Sequence, residues 1–140
     1  MAEARNTSGS ENEKMSATSG TLSAFEQLAR QMTRLSPEAI THLQHLIATW
    51  GLVSDLSFAD LLLFSPSAQD PKSYVVLALA RPNTTHTLCE TDPTGSLLGE
   101  AEIPYVARCW RSGEVVSTES YRADIGERIK VDSFPVRLRK

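Results

Sequence analysis

The sequence predicts an α+β fold in which an antiparallel sheet is covered by helices from the first half of the chain. Two segments with helical apolar spacing come first, between residues 22 and 50, and short apolar segments separated by turn residues follow. Strands joined by short turns pair antiparallel, and the helices are grouped rather than alternating with strands. A chain of 140 residues is long enough for one such domain.

The two helices are predicted from their apolar spacing and from capping residues. Ser23 and Glu26 fit a capping box at the start of the first helix. Ser36 is the predicted N-cap of the second helix, Pro37 its first residue, and Gly51 its end. The apolar stripes, which could pack on the sheet or on a second protomer, are Leu22, Phe25, Leu28, Ala29, Met32 and Leu35, then Ile40, Leu43, Leu46, Ile47 and Trp50.

The strands are predicted from short apolar runs bounded by turn residues. Residues 58–64 and 74–80 are expected to form a hairpin around a polar loop that contains two prolines. A weaker strand candidate at residues 86–91 precedes the turn Asp92-Pro93-Thr94-Gly95. The remaining predictions are a helix over 103–111, with Val106, Ala107 and Trp110 on one side and Gly113 beyond its end, and strands over 115–118 and 129–138.

The charge and cysteine content exclude several classes of protein. Seventeen acidic and fourteen basic residues give a net charge of −3, which does not suit binding to nucleic acid or to an anionic membrane. The apolar runs are far shorter than the roughly 20 residues that span a bilayer, and the N-terminus has no signal-peptide pattern. With only Cys89 and Cys109, we expect free thiols and a cytoplasmic location. Residues 1–20 are polar and charged, and they are predicted to form a disordered tail.

Motifs that would carry chemistry are absent from the sequence. His42 and His45 share a helix face, but they lack the glutamate of a zinc-protease motif and the context of a kinase phospho-acceptor. His86 and Cys89 have ligand spacing, yet only Cys109 remains to help them, and a structural zinc needs four ligands. There is no nucleophile elbow, P-loop or dinucleotide fingerprint. The sequence therefore predicts no catalytic residue, no metal site and no cofactor.

Several short phrases occur in the order typical of one protein family. They are LVSDLSFADL at residues 52–61, ARPNT at 80–84, ETDPTG at 90–95, IPYV at 103–106 and FPVR at 134–137. With these phrases the chain, from about Thr21 to its end, resembles the N-terminal GAF-type sensory domain of actinobacterial cytoplasmic sensor histidine kinases. The pairing of LSFAD with RPNT is the most specific part of the resemblance.

The resemblance implies a GAF-like domain over residues 21–140, with a central antiparallel sheet and N-terminal helices packed on it. It also implies a signal-input role without catalysis, in a two-component kinase that autophosphorylates on histidine and passes phosphate to a response regulator. The expected partners are the C-terminal PAS and kinase domains of a parent, or a separate kinase chain, together with a second copy of this chain. Because a GAF domain adds a closing strand after FPVR, we expect a C-terminally truncated domain that lacks its last strand.

A sensory GAF domain binds its ligand in a cavity between sheet and loops. The resemblance therefore implies candidate ligand-binding residues at Arg81, Asn83 and Thr84, at the exit of the predicted strand, with His86 and Cys89 beside them. Arg81 could bind a carboxylate or phosphate of a small molecule through two hydrogen bonds. Two alternatives remain open. Pro82-Asn83 could form a simple turn with a solvated Arg81, or the domain could be a ligand-free scaffold for dimerisation or protein interaction.

Overall fold

The computed structural model describes residues 24–83, 91–122 and 126–138, and within this part helices precede the first strand, as predicted. The predicted tail at 1–20, Ser23 of the capping box, most of the strand candidate at 86–91, and Thr84, His86 and Cys89 lie outside the described residues. The elements are α1 (residues 24–32), α2 (Pro37–Ile47), α3 (Trp50–Ser57), β1 (Leu61–Pro66), β2 (Ser73–Ala80), β3 (Leu97–Gly99), α4 (Pro104–Ser112), β4 (Val116–Arg122) and β5 (Glu127–Ser133).

The start of α2 is as predicted, but its end is not at Gly51. The hydroxyl of Ser36 accepts a hydrogen bond from the amide of Ala39 at 3.1 Å, and Pro37 occupies the first turn. The helix ends at Ile47, and Gly51 lies inside α3. At the break between the two helices, the Thr49 hydroxyl donates to the Leu46 carbonyl at 3.0 Å and so satisfies an acceptor of the last turn.

The strands form two separate antiparallel sheets. In the first, β2 lies between β1 and β3, and in the second β4 pairs with β5. The predicted hairpin of β1 and β2 is confirmed, although β1 begins at Leu61 rather than at residue 58. Strand β3 was not predicted, and the predicted strand over 129–138 ends at Ser133. The α+β class with an antiparallel sheet and packed N-terminal helices is confirmed.

A β-bulge interrupts the pairing of β1 with β2. Leu63 pairs with Ala78, whereas the next residue, Phe64, pairs with Val76. Leu77 is therefore the extra residue on β2. Leu77 and Ala78 consequently both contact the core on the helix side of the sheet.

The apolar stripes of α1 and α2 pack on one face of the first sheet. Phe25 and Ala29 of α1 and Ile40 and Leu43 of α2 are buried against strand residues. The strand side chains are Leu63, Val75 and Leu77, with Leu28, Met32, Leu35, Leu46, Ile47, Trp50 and Ala78 around them. Of the two options left open by the sequence, packing on the sheet is therefore correct for the described members of these stripes.

Helix α4 covers the opposite face of the sheet. Tyr74 of β2 is buried there with Ile103 and Ala107. Trp110, which was predicted on the same side of this helix as Ala107, is exposed instead. The helix ends as predicted at Gly113, which adopts a left-handed conformation with φ of 67°.

Burial of Tyr74 predicts a loss of stability at alkaline pH. Burial raises the pKa of the Tyr74 hydroxyl, Glu100 adds to the rise, and Arg111 opposes it. Because the folded state holds this proton more tightly, the unfolded state is the first to ionise as the pH rises past about 10. Stability should therefore be full below that pH and fall above it.

The measurement is the free energy of chemical unfolding at a series of pH values from about 8 to about 11, which includes the ordinary tyrosine pKa of about 10. Tyr74→Phe should make the alkaline decline shallower. The exposed Tyr121 provides the control variant, Tyr121→Phe. Equal alkaline slopes in the wild type and Tyr74→Phe would contradict the prediction.

Candidate functional site

Polar residues from three elements meet at the exit of β2. Arg81, Pro82 and Asn83 directly follow this strand, whose last residue pairs with the first residue of β1. Pro82 is buried, so the chain leaves the sheet through a packed turn. Helix α3 contributes Asp55, and the loop before β3 contributes Asp92.

The Asp55 carboxylate fixes the turn after β2. Its Oδ1 accepts a hydrogen bond from the backbone N–H of Asn83 at 2.6 Å, and its Oδ2 lies 3.4 Å from the donating Nδ2 of the same residue. These two contacts join α3 to the candidate site across 28 positions of the sequence. A displacement of Asn83 would therefore act directly on α3.

Arg81 is half-buried, and part of its guanidinium is without an acceptor. Its Nε atom is shielded from solvent and has no hydrogen-bond partner among the described residues. Because the side chain as a whole is only half-buried, a solvated Arg81 and a ligand-bound Arg81 are both compatible with this burial. A buried N–H without an acceptor is costly, so this atom is available to an acceptor from elsewhere.

The Asp92 carboxylate carries negative charge near Arg81. The Thr94 hydroxyl and the Thr94 backbone N–H donate to its Oδ1 at 2.6 and 2.9 Å, and they lower the pKa of Asp92. The positive charge of Arg81 lowers it further, as a smaller effect. Asp92 thus stays ionised at neutral pH.

The structure brings together two of the five predicted ligand residues. Arg81 and Asn83 lie in one turn, whereas Thr84, His86 and Cys89 fall outside the described residues. Sequence reasoning missed the roles of Asp55 and Asp92. A signal for Asp55 was present, since it is the only acidic or basic residue between His45 and Asp60.

Two surface grooves line α4 rather than the exit of β2. The larger has a volume of about 670 Å³, and the ion pair of Arg111 with Glu100 forms part of its wall. The smaller, about 270 Å³, lies between Tyr105 of α4 and Thr118 of β4. Neither groove includes Arg81 or Asn83. These grooves are open, so neither encloses a ligand.

Within the described ranges, no group of three or more His, Cys, Asp or Glu side chains is placed to hold a metal ion. Cys109 is buried, and burial raises the pKa of its thiol. Among the helices that the structure describes, none has the length and apolar character needed to cross a membrane.

Comparisons with known proteins agree with this fold and with the sequence phrases. The family described as "Histidine kinase PdtaS, GAF domain" matches residues 25–140. The sensor histidine kinase PdtaS of Mycolicibacterium smegmatis is 33% identical over 120 residues, which cover 83% of this chain and 23% of that protein. PdtaS of Mycobacterium tuberculosis is 34% identical over 92 residues, which cover 66% of this chain and 18% of that protein.

A solved structure supports the same relationship. The sensor region of a sensor histidine kinase superimposes with a TM-score of 0.60 and 28% identity, over 80% of this chain and 41% of that one. The chain spans only a minor part of the PdtaS relatives, 23% and 18% of their lengths. Because the family match extends over most of the chain, the chain belongs to the PdtaS GAF-domain family and is a GAF-type signal-input domain.

Proposed function

We propose that this domain binds a small molecule at the exit of β2 and thereby regulates autophosphorylation and phosphotransfer by PAS and kinase regions. Those regions belong to the same polypeptide or to a separate kinase chain. The domain itself performs no catalysis, acts in the cytoplasm and operates as a homodimer. Its PdtaS relatives are sensor histidine kinases, which supports the link to a kinase.

The buried Nε of Arg81 is the observation that carries the ligand proposal. This N–H has lost contact with solvent and has no acceptor among the described residues. A ligand carboxylate or phosphate would supply the acceptor in the geometry that a guanidinium favours. Asn83 would add an amide contact, and Thr84, His86 and Cys89 would complete the site.

The hydrogen bonds between Asp55 and Asn83 supply a route from the ligand to a helix. A ligand that repositions Asn83 changes the two contacts to the Asp55 carboxylate, and with them the placement of α3. The ligand shifts the arrangement only if it binds one placement of α3 better than the other. The difference between the free energies of ligand binding to the two placements of α3 is what would regulate the kinase.

The test is native mass spectrometry of the purified chain, followed by identification of the small molecules that it retains. Wild-type protein should retain an anionic molecule, and Arg81→Gln should weaken its affinity by at least about tenfold, since a charged hydrogen bond contributes about 1.5–3 kcal/mol. Arg128→Gln, on the exposed surface of β5, is the matched control and should leave the occupancy unchanged. Retention that is equal in wild type and Arg81→Gln would refute the site.

A ligand-free scaffold for dimerisation or protein interaction is the second candidate. It is favoured by the exposed apolar side chains of α3 and by the absence of Arg81 from the two α4 grooves. The same measurement separates the two functions. A scaffold retains no molecule at any protein concentration, yet it still associates with a partner.

A further inference from the structure

Helix α3 has one polar side chain buried and one half-buried, whereas three of its four apolar side chains are exposed and only Trp50 contacts the core. Ser54 is completely buried, and its hydroxyl donates to the Ala59 carbonyl at 2.6 Å. Asp55, next to it, is half-buried on the Asn83 turn. By contrast, Leu52 is 65% exposed and Leu56 is 72% exposed. An ordinary surface helix shows the opposite pattern, because its apolar stripe faces the core.

Phe58 extends the apolar surface in an unfavourable backbone conformation. It caps α3 with φ of 53°, and it is the only non-glycine residue with positive φ in the described part of the chain. Glycine or asparagine usually occupies such a position. Its ring is nevertheless 65% exposed, so burial in this chain does not compensate for the strain. The left-handed cap ends α3, with the Phe58 N–H bonded to the Ser54 carbonyl, so the choice of phenylalanine over glycine or asparagine is what points to a function.

We infer that the α3 apolar face, formed by Leu52, Val53, Leu56 and Phe58, binds the same face of a second copy of this chain. The face carries no charge, since Asp55 is directed to Asn83 and residues 46–59 contain no other acidic or basic residue. In a two-fold interface the same patch of both copies meets, so that residue i contacts residue j and residue j contacts residue i. An uncharged apolar face is therefore compatible with its own copy, with no repulsion between like charges.

A lipid surface fits this face less well. Helices that lie on membranes carry lysine and arginine on their polar side, and residues 46–59 contain neither. The net charge of −3 also disfavours anionic lipid. The composition around α3 thus favours a second copy over a membrane.

The area of the face predicts a weak dimer. Its four side chains expose roughly 400 Å² on one copy, taking about 100 Å² for each. A symmetric pair would then bury about 800 Å², below the roughly 1,200–2,000 Å² of a stable interface. The contact should therefore form and dissociate reversibly with concentration. Within a longer dimeric protein, the raised effective concentration would favour it.

The experiment is sedimentation velocity of the 140-residue chain from about 1 µM to about 1 mM, a range that brackets weak association. The wild type should convert from monomer to dimer with increasing concentration. Leu56→Glu should raise the dissociation constant by at least about tenfold, because two like charges would face each other across the two-fold axis. Phe58→Asn should weaken the dimer to a similar extent, as expected for a central aromatic contact.

Two controls separate loss of the interface from loss of the fold. Asparagine tolerates the left-handed conformation, so Phe58→Asn should melt no lower than the wild type in dilute, monomeric solution. Phe134→Asn removes an aromatic ring of matched exposure, 67%, outside the α3 apolar face. It should leave the dissociation constant unchanged.

Three results would overturn the inference. They are a wild-type chain that stays monomeric throughout the range, a dimer that both α3 variants leave intact, and a dimer that Phe134→Asn weakens equally. Flotation of the wild type with phosphatidylcholine–phosphatidylserine vesicles, without self-association, would also overturn it. Retention of a small molecule is measured separately with Arg81→Gln, so failure of the ligand site and failure of this interface are distinguishable.

Discussion

Replacing Leu77 by alanine should lower the free energy of unfolding by about 2–5 kcal/mol. Leu77 is 1% exposed and belongs to the core between the N-terminal helices and the first sheet. Leu77 is the extra residue of the bulge and lies between Val76 and Ala78, which are both paired with β1. Because the backbone is held on both sides, the surrounding side chains have little freedom to fill the cavity that alanine would leave. The measurement is urea unfolding followed by circular dichroism.

Leu97→Ala is the matched control, because this leucine lies in β3 of the same sheet and is exposed. Leu97→Ala should lower the free energy of unfolding by less than about 1 kcal/mol, since it removes little apolar surface that is buried in the folded state. Equal losses in the two variants would mean that Leu77 is not part of a tightly packed core. The slope of the free energy of unfolding against urea concentration should stay unchanged in both variants.

Gly113→Ala should cost about 2 kcal/mol, the second largest effect that we expect. The left-handed conformation at φ of 67° costs an alanine about 1–2 kcal/mol. The added Cβ would also lie 2.6 Å from the Nη2 atom of Arg137. That guanidinium donates to the Gly113 carbonyl at the end of α4, where a cation is favourable, and it would have to move.

Gly126→Ala separates the two contributions. Gly126 has φ of 68°, but a Cβ built there meets nothing within 4 Å. It should therefore cost only about 1 kcal/mol for the backbone conformation. In an Arg137→Ala background, the extra cost of Gly113→Ala should disappear. Equal destabilisation of the two glycine variants would mean that displacing the Arg137 guanidinium carries no cost.

The elements that the sequence predicted well are those with local signals. The Ser36-Pro37 start of α2, the hairpin of β1 and β2, and the Gly113 end of α4 each depend on a few adjacent residues. Gly51 was misleading, because glycine at an exposed helix position resembles a helix end in sequence. Phe58 was predicted to begin a strand because aromatic residues favour strands, and nothing nearby indicated that it caps a helix.

The unpredicted parts depend on contacts between distant residues. Strand β3 has three residues, and pairing with Ser73, Tyr74 and Val75 of β2 defines it, rather than its own strand preference. The link from Asp55 to Asn83 spans 28 positions, so no local pattern indicates it. Helix α3 was not predicted, and neither was the exposure of Leu52 and Leu56, because hydrophobicity alone does not distinguish a core from an interface.

The bulge at Leu77 has a consequence for the lengths of related sequences. Side chains alternate along a strand, and beyond the extra residue Ala78 and Ala80 share the helix side while Leu79 and Arg81 take the other. A regular strand of equal length would exchange these sides and turn the guanidinium toward the helices. A strand one residue shorter, with position 77 deleted, would restore regular pairing and keep the arginine where it is. A related sequence that is one residue shorter in this strand can therefore keep the same site. Its gap should be aligned with position 77 rather than with a position beside Arg81.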